Sequence, residues 1–147
     1  MTNFETQLSQ SGFIVFTNKG ISMMPLLRQN KDLMVIRKIT EPLKKNDAVL
    51  FKRPNGAYVL HRIVKVCGLG QYRIVGDNCA FPETVPEEWI IGILTEVIKD
   101  GRHISVDSEE YKAYLQKVPW HRLKLKLRHY PQAVKRRITR ILGRTER

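Results

Sequence analysis

Cysteine is scarce in this chain of 147 residues, and the scarcity excludes a disulfide scaffold. Cys67 and Cys79 are the two cysteines, and they do not form the close CxxC pair typical of metal sites. Free cysteines in such small numbers usually behave as partly buried apolar residues. We therefore expect no disulfide framework, no metal site and no cofactor.

Long apolar runs are also missing. No stretch approaches the roughly 20 apolar residues of a membrane-spanning helix, and no basic start leads into an apolar run as in a signal peptide. Internal repeats and low-complexity segments are not found. The length predicts one compact domain plus a tail. We expect a cytoplasmic protein, either free or peripheral at the inner face of the membrane.

Acidic residues are few, and the imbalance is local. The chain has 26 Lys and Arg against 14 Asp and Glu, which gives a net charge of +12. Residues 119–147 hold ten of these cations and one acid, so they carry +9 of the +12. The rest of the chain is nearly balanced. An anionic partner is therefore expected at residues 119–147.

Short β-branched and aromatic runs dominate the first hundred residues. Turn residues such as the Asn55-Gly56 pair separate them. They predict strands at 12–17, 33–39, 47–53, 58–66, 72–76, 89–98 and 103–106. Seven closely spaced strands indicate a mostly β domain over residues 1–106, which we expect to form a small coiled sheet or partly open barrel.

From Asp107 the pattern becomes helical. Asp107 or Ser108 is the candidate N-cap, and acids follow in the first turn. Apolar residues then recur every three or four positions, with an interruption at Pro131: Trp120, Leu123, Leu127, Tyr130, Val134, Ile138 and Ile141. Residues 107–147 are therefore expected to be a helical, basic C-terminal extension.

Two interpretations of residues 119–147 stay open. One is a solvated helix whose charges do little. The other is an amphipathic helix on an anionic membrane surface, with its apolar face in the lipid and its cations at the phosphates. Nucleic acid would attract the same charges, but the aromatic residues do not alternate with cations as a stacking platform requires. We expect a peripheral membrane contact rather than nucleic acid.

Three short segments contain the residue types of a serine hydrolase. Ser22 lies in "GISMMP", between Gly20, which allows a tight backbone, and Pro25, which fixes the chain. His61 lies on a predicted strand, and Asp77 lies in "GDN" at the end of the next strand. A base activates a serine nucleophile and an acid orients the base, and adjacent antiparallel strands bring His61 and Asp77 together. Each segment alone also fits an ordinary loop serine, strand histidine or turn.

In order and spacing these segments resemble the signal peptidase I and LexA-type serine peptidase superfamily. The similar pattern is G-x-S-M-x-P, followed by "DAVLF", "YVLHRI" and "GDN", and it runs from about Gly12 to Ile98. Ser22 and His61 are 39 positions apart, similar to the separation in members that use a Ser-His pair. Most bacterial signal peptidases and LexA-type repressors have a lysine in place of His61.

The resemblance implies a serine endopeptidase that cleaves a specific peptide or precursor protein. Ser22 is the implied nucleophile, with its backbone N–H in the oxyanion hole. His61 is the implied general base, which later protonates the leaving amine, and Asp77 is implied to orient it. Met23 and Pro25 are implied to shape the substrate cleft, which in this family holds an extended peptide as an added strand.

The sequence departs from the family pattern in several places. Gly20 stands where signal peptidases have a serine that helps the oxyanion, so backbone donors are implied here. For the further acid of Ser-His members, Glu83 is the nearest candidate. We find no membrane anchor, helix-turn-helix domain or self-cleavage pair, so neither general secretory processing nor a self-cleaving repressor is expected. The alternative function is a catalytically silent β-domain that binds a peptide or an anionic surface.

Overall fold

The computed structural model describes residues 3–145, which form one antiparallel β-sheet and three helices. The helices are α1 (Phe4–Ser11), α2 (Glu109–Arg128) and α3 (Gln132–Thr145). The strands are β1 (Phe13–Thr17), β2 (Leu33–Arg37), β3 (Ala48–Lys52), β4 (Tyr58–Gly68), β5 (Gln71–Val75), β6 (Glu83–Pro86), β7 (Ile90–Lys99) and β8 (Arg102–Ser105). A short 3₁₀ turn, Glu87–Trp89, connects β6 to β7.

The sheet has the strand order β1-β2-β7-β3-β4-β5-β6, with β8 paired to the second half of β7. The long strand β7 therefore joins β2 on one side to β3 and β8 on the other. Within residues 3–145, β1 and β6 do not pair with each other, so the sheet is not closed into a barrel. The expected mostly β architecture is confirmed, and the sheet is open.

The interior consists of two apolar clusters on opposite faces of the sheet. Ala48 and Leu50 of β3 belong to one cluster, and Val49 and Phe51 belong to the other. This division follows from strand geometry, because successive side chains point to opposite faces. Leu8 of α1 and Tyr111 of α2 join the first cluster, so both helices cover the same face.

The seven predicted strands are present with shifted ends, and the helix predicted after Asp107 begins with Ser108 as its N-cap. Two observed elements lie outside the prediction. The helix α1 has a polar sequence with one buried residue, Leu8. The short strand β6 ends in Pro86 and likewise buries one side chain, that of Val85. None of the helices within residues 3–145 is long and apolar enough to cross a bilayer.

Arg62 and Asp77 form a fully buried ion pair at the centre of the molecule. Arg62 Nε and Nη2 donate to the two carboxylate oxygens of Asp77 at 2.7 Å each. Arg62 Nη1 donates to the Asn46 carbonyl (2.7 Å) and to the Tyr111 hydroxyl (3.0 Å), and the Tyr114 hydroxyl donates to Asp77 (2.8 Å). We call these contacts the Arg62–Asp77 network. It connects β4, the turn after β5 and the first half of α2.

The Arg62–Asp77 network predicts that a substitution of nearly the same shape at Asp77 will strongly lower the free energy of unfolding. Asp77→Asn keeps the shape of the side chain but removes the charge that compensates the buried guanidinium of Arg62. We expect the free energy of unfolding to fall by about 3 kcal/mol or more, as for other buried pairs that lose one partner. Urea denaturation at neutral pH measures the loss.

A matched control removes one charge of an exposed ion pair. Glu110→Gln breaks the contact between Glu110 and Arg102 on the surface, and exposed pairs contribute little to stability. Its unfolding midpoint should stay near that of the unaltered protein. Equal, small effects of the two substitutions would contradict the stabilising role of the network.

Candidate active site

Ser22 lies in the turn between β1 and β2, in a loop that is anchored by its apolar residues. Met23 and Leu27 are fully buried in the first apolar cluster, and Leu26 is nearly so. The Met23 sulfur also accepts the N–H of Asp77 at 3.4 Å. Because the residues that follow Ser22 are fixed in the core, Ser22 itself is held half-buried at the surface of the sheet.

The 76–78 turn, which carries the "GDN" motif, holds the main chain of the Ser22 loop. Asn78 N–H donates to the carbonyl of Ser22 (2.8 Å), and Asn78 Nδ2 donates to the carbonyl of Ile21 (3.1 Å). On its other side, Asn78 Oδ1 lies 2.9 Å from Nε2 of His121 on α2. The turn thus connects the Ser22 loop to α2.

A glycine at position 76 is required by the close approach of three groups. A Cβ built on Gly76 would lie 2.6 Å from the Ser22 carbonyl oxygen, 2.7 Å from Cys79 Sγ and 3.1 Å from His61 Nε2. The main chain of Ser22 and the ring of His61 therefore converge on this glycine. Gly20 has no atom within 4 Å of its own Cβ position and no left-handed backbone. Nothing at this position therefore requires a glycine.

His61 lies on β4 opposite Val49 of β3, and its ring is almost fully buried. Its Nε2 faces the Ser22 main chain beside Gly76, and its Nδ1 lies 3.5 Å from Glu83 Oε1. At that distance and geometry Nδ1 has no hydrogen-bond partner within residues 3–145, so the attraction to Glu83 is electrostatic. The ring is placed between the nucleophile candidate and a carboxylate.

The Ser22 side chain forms no hydrogen bond to His61 or Glu83 in the described residues 3–145. Its Oγ makes no hydrogen bond to any residue of the described range 3–145, His61 included. The backbone N–H of Ser22 is likewise without an acceptor in that range. Both groups are therefore available to a bound molecule.

The expectation that Asp77 orients His61 is corrected by the structure. The Asp77 carboxylate is occupied by Arg62 and Tyr114, and it forms no hydrogen bond to His61 within residues 3–145. Arg62 follows His61 directly on β4, and neighbouring residues of a strand point to opposite faces. The carboxylate that pairs with Arg62 is thus directed away from the His61 ring, and only its charge reaches His61, where it opposes the lowering of the pKa.

Glu83 of β6 is the carboxylate that faces His61. It also accepts a hydrogen bond of 2.6 Å from Arg53 Nη2, which fixes its position. Burial lowers the pKa of His61 below its ordinary value near 6.5, and the charge of Glu83 opposes this shift. His61 is therefore neutral at pH 7, which is the form that accepts a proton.

A cavity of about 490 Å³ opens beside Ser22. Its lining is mainly apolar, and it comes from α1, the end of β1 and the start of β4, including Phe4, Phe16, Tyr58 and Leu60. A volume of this size is typical of binding pockets for small ligands and side chains. The cavity brings apolar surface directly to the serine.

The N-terminal helix α1, which the sequence patterns did not predict, forms one wall of this cavity. The Phe4 ring stacks on Phe16 with centroids 4.4 Å apart and lies 4.7 Å from the Tyr58 ring. Glu5 accepts a hydrogen bond of 2.6 Å from the Tyr58 hydroxyl and pairs with Lys52 at 3.0 Å. These contacts hold the helix against β3 and β4.

Neither Met23 nor Pro25 is among the described residues that line the cavity at Ser22. Met23 is buried beneath the loop, and Pro25 borders a different cavity together with Trp120 and Lys124 of α2. Neither residue contributes to this cavity, and their role in shaping a substrate cleft stays a prediction. Met23 fixes the loop in the core, and Pro25 faces the helical end of the chain.

Comparisons with known proteins do not assign a family. The sequence matches no protein-family model and no curated protein. Within residues 3–145, no group of three or more His, Cys, Asp or Glu side chains is arranged to bind a metal ion. The interpretation of the site rests on its geometry and on the motifs that resemble the serine peptidases.

The convergence on Gly76 predicts a contrast between two glycines. Gly76→Ala places a methyl group against the Ser22 carbonyl, and overpacking of this kind costs about 1–3 kcal/mol. Gly20→Ala should change the free energy of unfolding by less than about 0.5 kcal/mol, since its methyl group meets open space. Urea denaturation of both variants checks the contrast, and equal effects would contradict it.

The burial of His61 and the charge of Glu83 predict the direction in which the pKa of the ring is shifted. An NMR titration of the ring should give a pKa below 6.5, because burial disfavours the charged imidazolium. Glu83→Gln removes a charge that stabilises the imidazolium, so the pKa should fall further. The signal is assigned by its loss in His61→Gln.

The control for this titration is Glu109→Gln, which removes an exposed acid at the start of α2. It should leave the His61 titration unchanged. A pKa that stays constant or rises in Glu83→Gln would contradict the assignment of Glu83 as the carboxylate that acts on His61.

Proposed function

We propose that the protein is a serine endopeptidase of the signal peptidase I and LexA type, with Ser22 as nucleophile and His61 as general base. The proposal is carried by one observation: the Ser22 main chain and His61 Nε2 lie within 2.6 Å and 3.1 Å of the same point at Gly76. The apolar cavity at Ser22 supports it, since a peptidase must bind a side chain beside the scissile bond.

The chemistry begins with the neutral His61 ring. His61 Nε2 takes the proton from Ser22 Oγ as the oxygen attacks the peptide carbonyl. The resulting oxyanion accepts a hydrogen bond from the unused Ser22 N–H. His61 then returns the proton to the leaving amine, and water hydrolyses the acyl-enzyme ester by the same route.

The two carboxylates have different roles in this proposal. Glu83 lies 3.5 Å from Nδ1 of His61, where its charge stabilises the imidazolium that forms during attack. Asp77 is a positioning residue that acts through Arg62 and through the 76–78 turn. Loss of Asp77 should therefore lower stability, whereas loss of Glu83 should change the pH dependence of cleavage.

The substrate is an extended peptide of a specific precursor protein. In the sheet order β1 has a single neighbour, β2, and its chain continues into the Ser22 loop. A peptide added along the outer edge of β1 passes Ser22 as it leaves the sheet, because strand addition keeps it parallel or antiparallel to β1. An apolar side chain next to the cut then enters the 490 Å³ cavity.

The alternative is a catalytically silent β-domain that binds a peptide in the same cleft. It is favoured by the missing hydrogen bond between Ser22 Oγ and His61 in residues 3–145. Catalytic hydrogen bonds in substrate-free proteins are often long or poorly aligned, however, and tighten in the substrate complex. The proposal therefore keeps the catalytic function.

Ser22→Ala and His61→Ala separate the two functions. Cleavage of a complex peptide library, and of precursor proteins encoded by neighbouring genes, is followed by mass spectrometry. We expect each substitution to reduce the cleavage rate by about 10⁴-fold or more, because removing one member of such a pair disables the whole unit.

The matched controls are Ser9→Ala and His103→Ala, which change the same residue types at exposed positions that do not line the Ser22 cavity. Both should cleave at the rate of the unaltered protein. If the protein and all four variants processed the library equally, or if none cleaved it while all bound peptide, the catalytic proposal would be wrong.

A further inference from the structure

Exposed apolar side chains collect at the helical end of the chain. The large apolar residues there are between 39% and 66% exposed: Trp120, Tyr130, Val134, Ile141 and Leu142. Scattered exposed apolar residues are normal, but a concentration on one segment marks an interaction surface. The exposure of these apolar side chains marks the segment as a candidate interaction surface.

The helix α3 separates apolar from charged residues. Val134, Ile138 and Leu142 recur at intervals of four and therefore share one face. Arginines occupy the flanks and the opposite side of the helix: Arg136, Arg137 and Arg140. The sequence has no acid between Glu110 and Glu146, so no carboxylate of this segment neutralises the cations.

The exposed apolar surface continues from α2 to Pro25 of the Ser22 loop. Trp120 and Lys124 share a cavity of about 380 Å³ with Pro25 of the Ser22 loop. Phe81, which is also exposed, contacts the ring of His129 at the end of α2 with centroids 5.4 Å apart. We call residues 119–142, with these neighbours, the tail surface.

We propose that the tail surface docks on a bilayer that contains anionic phospholipids. The apolar face of α3 and Trp120 enter the boundary between headgroups and acyl chains, and the flanking arginines and lysines contact the lipid phosphates. Nucleic acid would pair with the cations but leave the apolar face in water. An anionic membrane would bind the apolar face in its lipid and the cations at its phosphates. This inference does not depend on the peptidase proposal.

The first test is co-sedimentation of the full chain with two kinds of vesicle. Binding is expected to vesicles of phosphatidylcholine with 30% phosphatidylglycerol, a composition of about one anionic lipid in three. Pure phosphatidylcholine vesicles should bind on the order of 100-fold more weakly, because a cation near an anionic surface gains severalfold in affinity. Equal binding to both would overturn the proposal.

Two sets of substitutions locate the surface. Replacing Arg136, Arg137 and Arg140 by Gln should weaken binding on the order of 100-fold. Replacing Lys31, Lys65 and Lys112 by Gln removes the same charge from other exposed positions and should weaken it far less. If both triple variants lost the same affinity, binding would follow net charge alone and the proposed surface would be wrong.

The apolar face has its own control. Val134→Gln with Leu142→Gln should weaken vesicle binding at least tenfold, whereas Val66→Gln with Leu69→Gln alters exposed apolar residues on the β4–β5 hairpin and should not. Equal losses in the two double variants, or none in either, would rule out the apolar contact.

Tryptophan fluorescence tests insertion directly. The chain has two tryptophans, so a Trp89→Phe variant reports on Trp120 alone. Its emission should shift to shorter wavelength when anionic vesicles are added, because the ring leaves water for the lipid boundary. Absence of a shift in bound protein would overturn the proposal. Binding of a short RNA or DNA duplex with no binding to vesicles would identify nucleic acid as the partner instead.

Discussion

The guanidinium of Arg62 donates two hydrogen bonds of 2.7 Å to the carboxylate of Asp77 in the interior, and both His61 and the Ser22 loop are attached to this pair. Arg62 is next to His61 on β4. Asp77 belongs to the 76–78 turn, which holds the main chain of Ser22. Tyr111 and Tyr114 bring α2 into the same network. A charge left unpaired there would disturb His61, the Ser22 loop and α2 together.

Successive side chains of β4 point to opposite faces of the sheet, so the buried ion pair and the candidate site lie on different sides of this strand. Arg62 points to the Arg62–Asp77 network, and His61 points to the opposite side, where Glu83 faces its Nδ1 at 3.5 Å. The two carboxylates differ in their contacts, because Asp77 compensates a buried cation whereas Glu83 lies against the imidazole and has the larger effect on its pKa. Burial of the ring lowers the pKa of His61 and keeps it neutral. The same fold that buries His61 thus keeps its ring in the form that can accept a proton.

Runs of β-branched and aromatic residues were enough to predict β1, β3 and β4, whose apolar residues fill the core: β3 and β4 contribute to both clusters, and β1 contributes to the first. It did not predict α1 or β6, since each buries only one side chain and gives no periodic signal. The resemblance to the serine peptidases implied that Ser22 and His61 act together, but no pattern shows which face of a neighbouring strand a carboxylate will reach. That is why Asp77 was expected where Glu83 lies. The importance of Gly76 follows only from three atoms that are distant in sequence.

In the proposed mechanism Ser22 Oγ and His61 Nε2 act as one unit on a bound peptide. A crystal structure with a peptide boronic acid tests it most directly, because boron forms a tetrahedral adduct with an activated serine. The account predicts a bond from Ser22 Oγ to boron, with His61 Nε2 within about 3.2 Å of that oxygen or of a boronate hydroxyl. A peptide bound in the cleft without an adduct, with the imidazole turned away from Ser22, would contradict it.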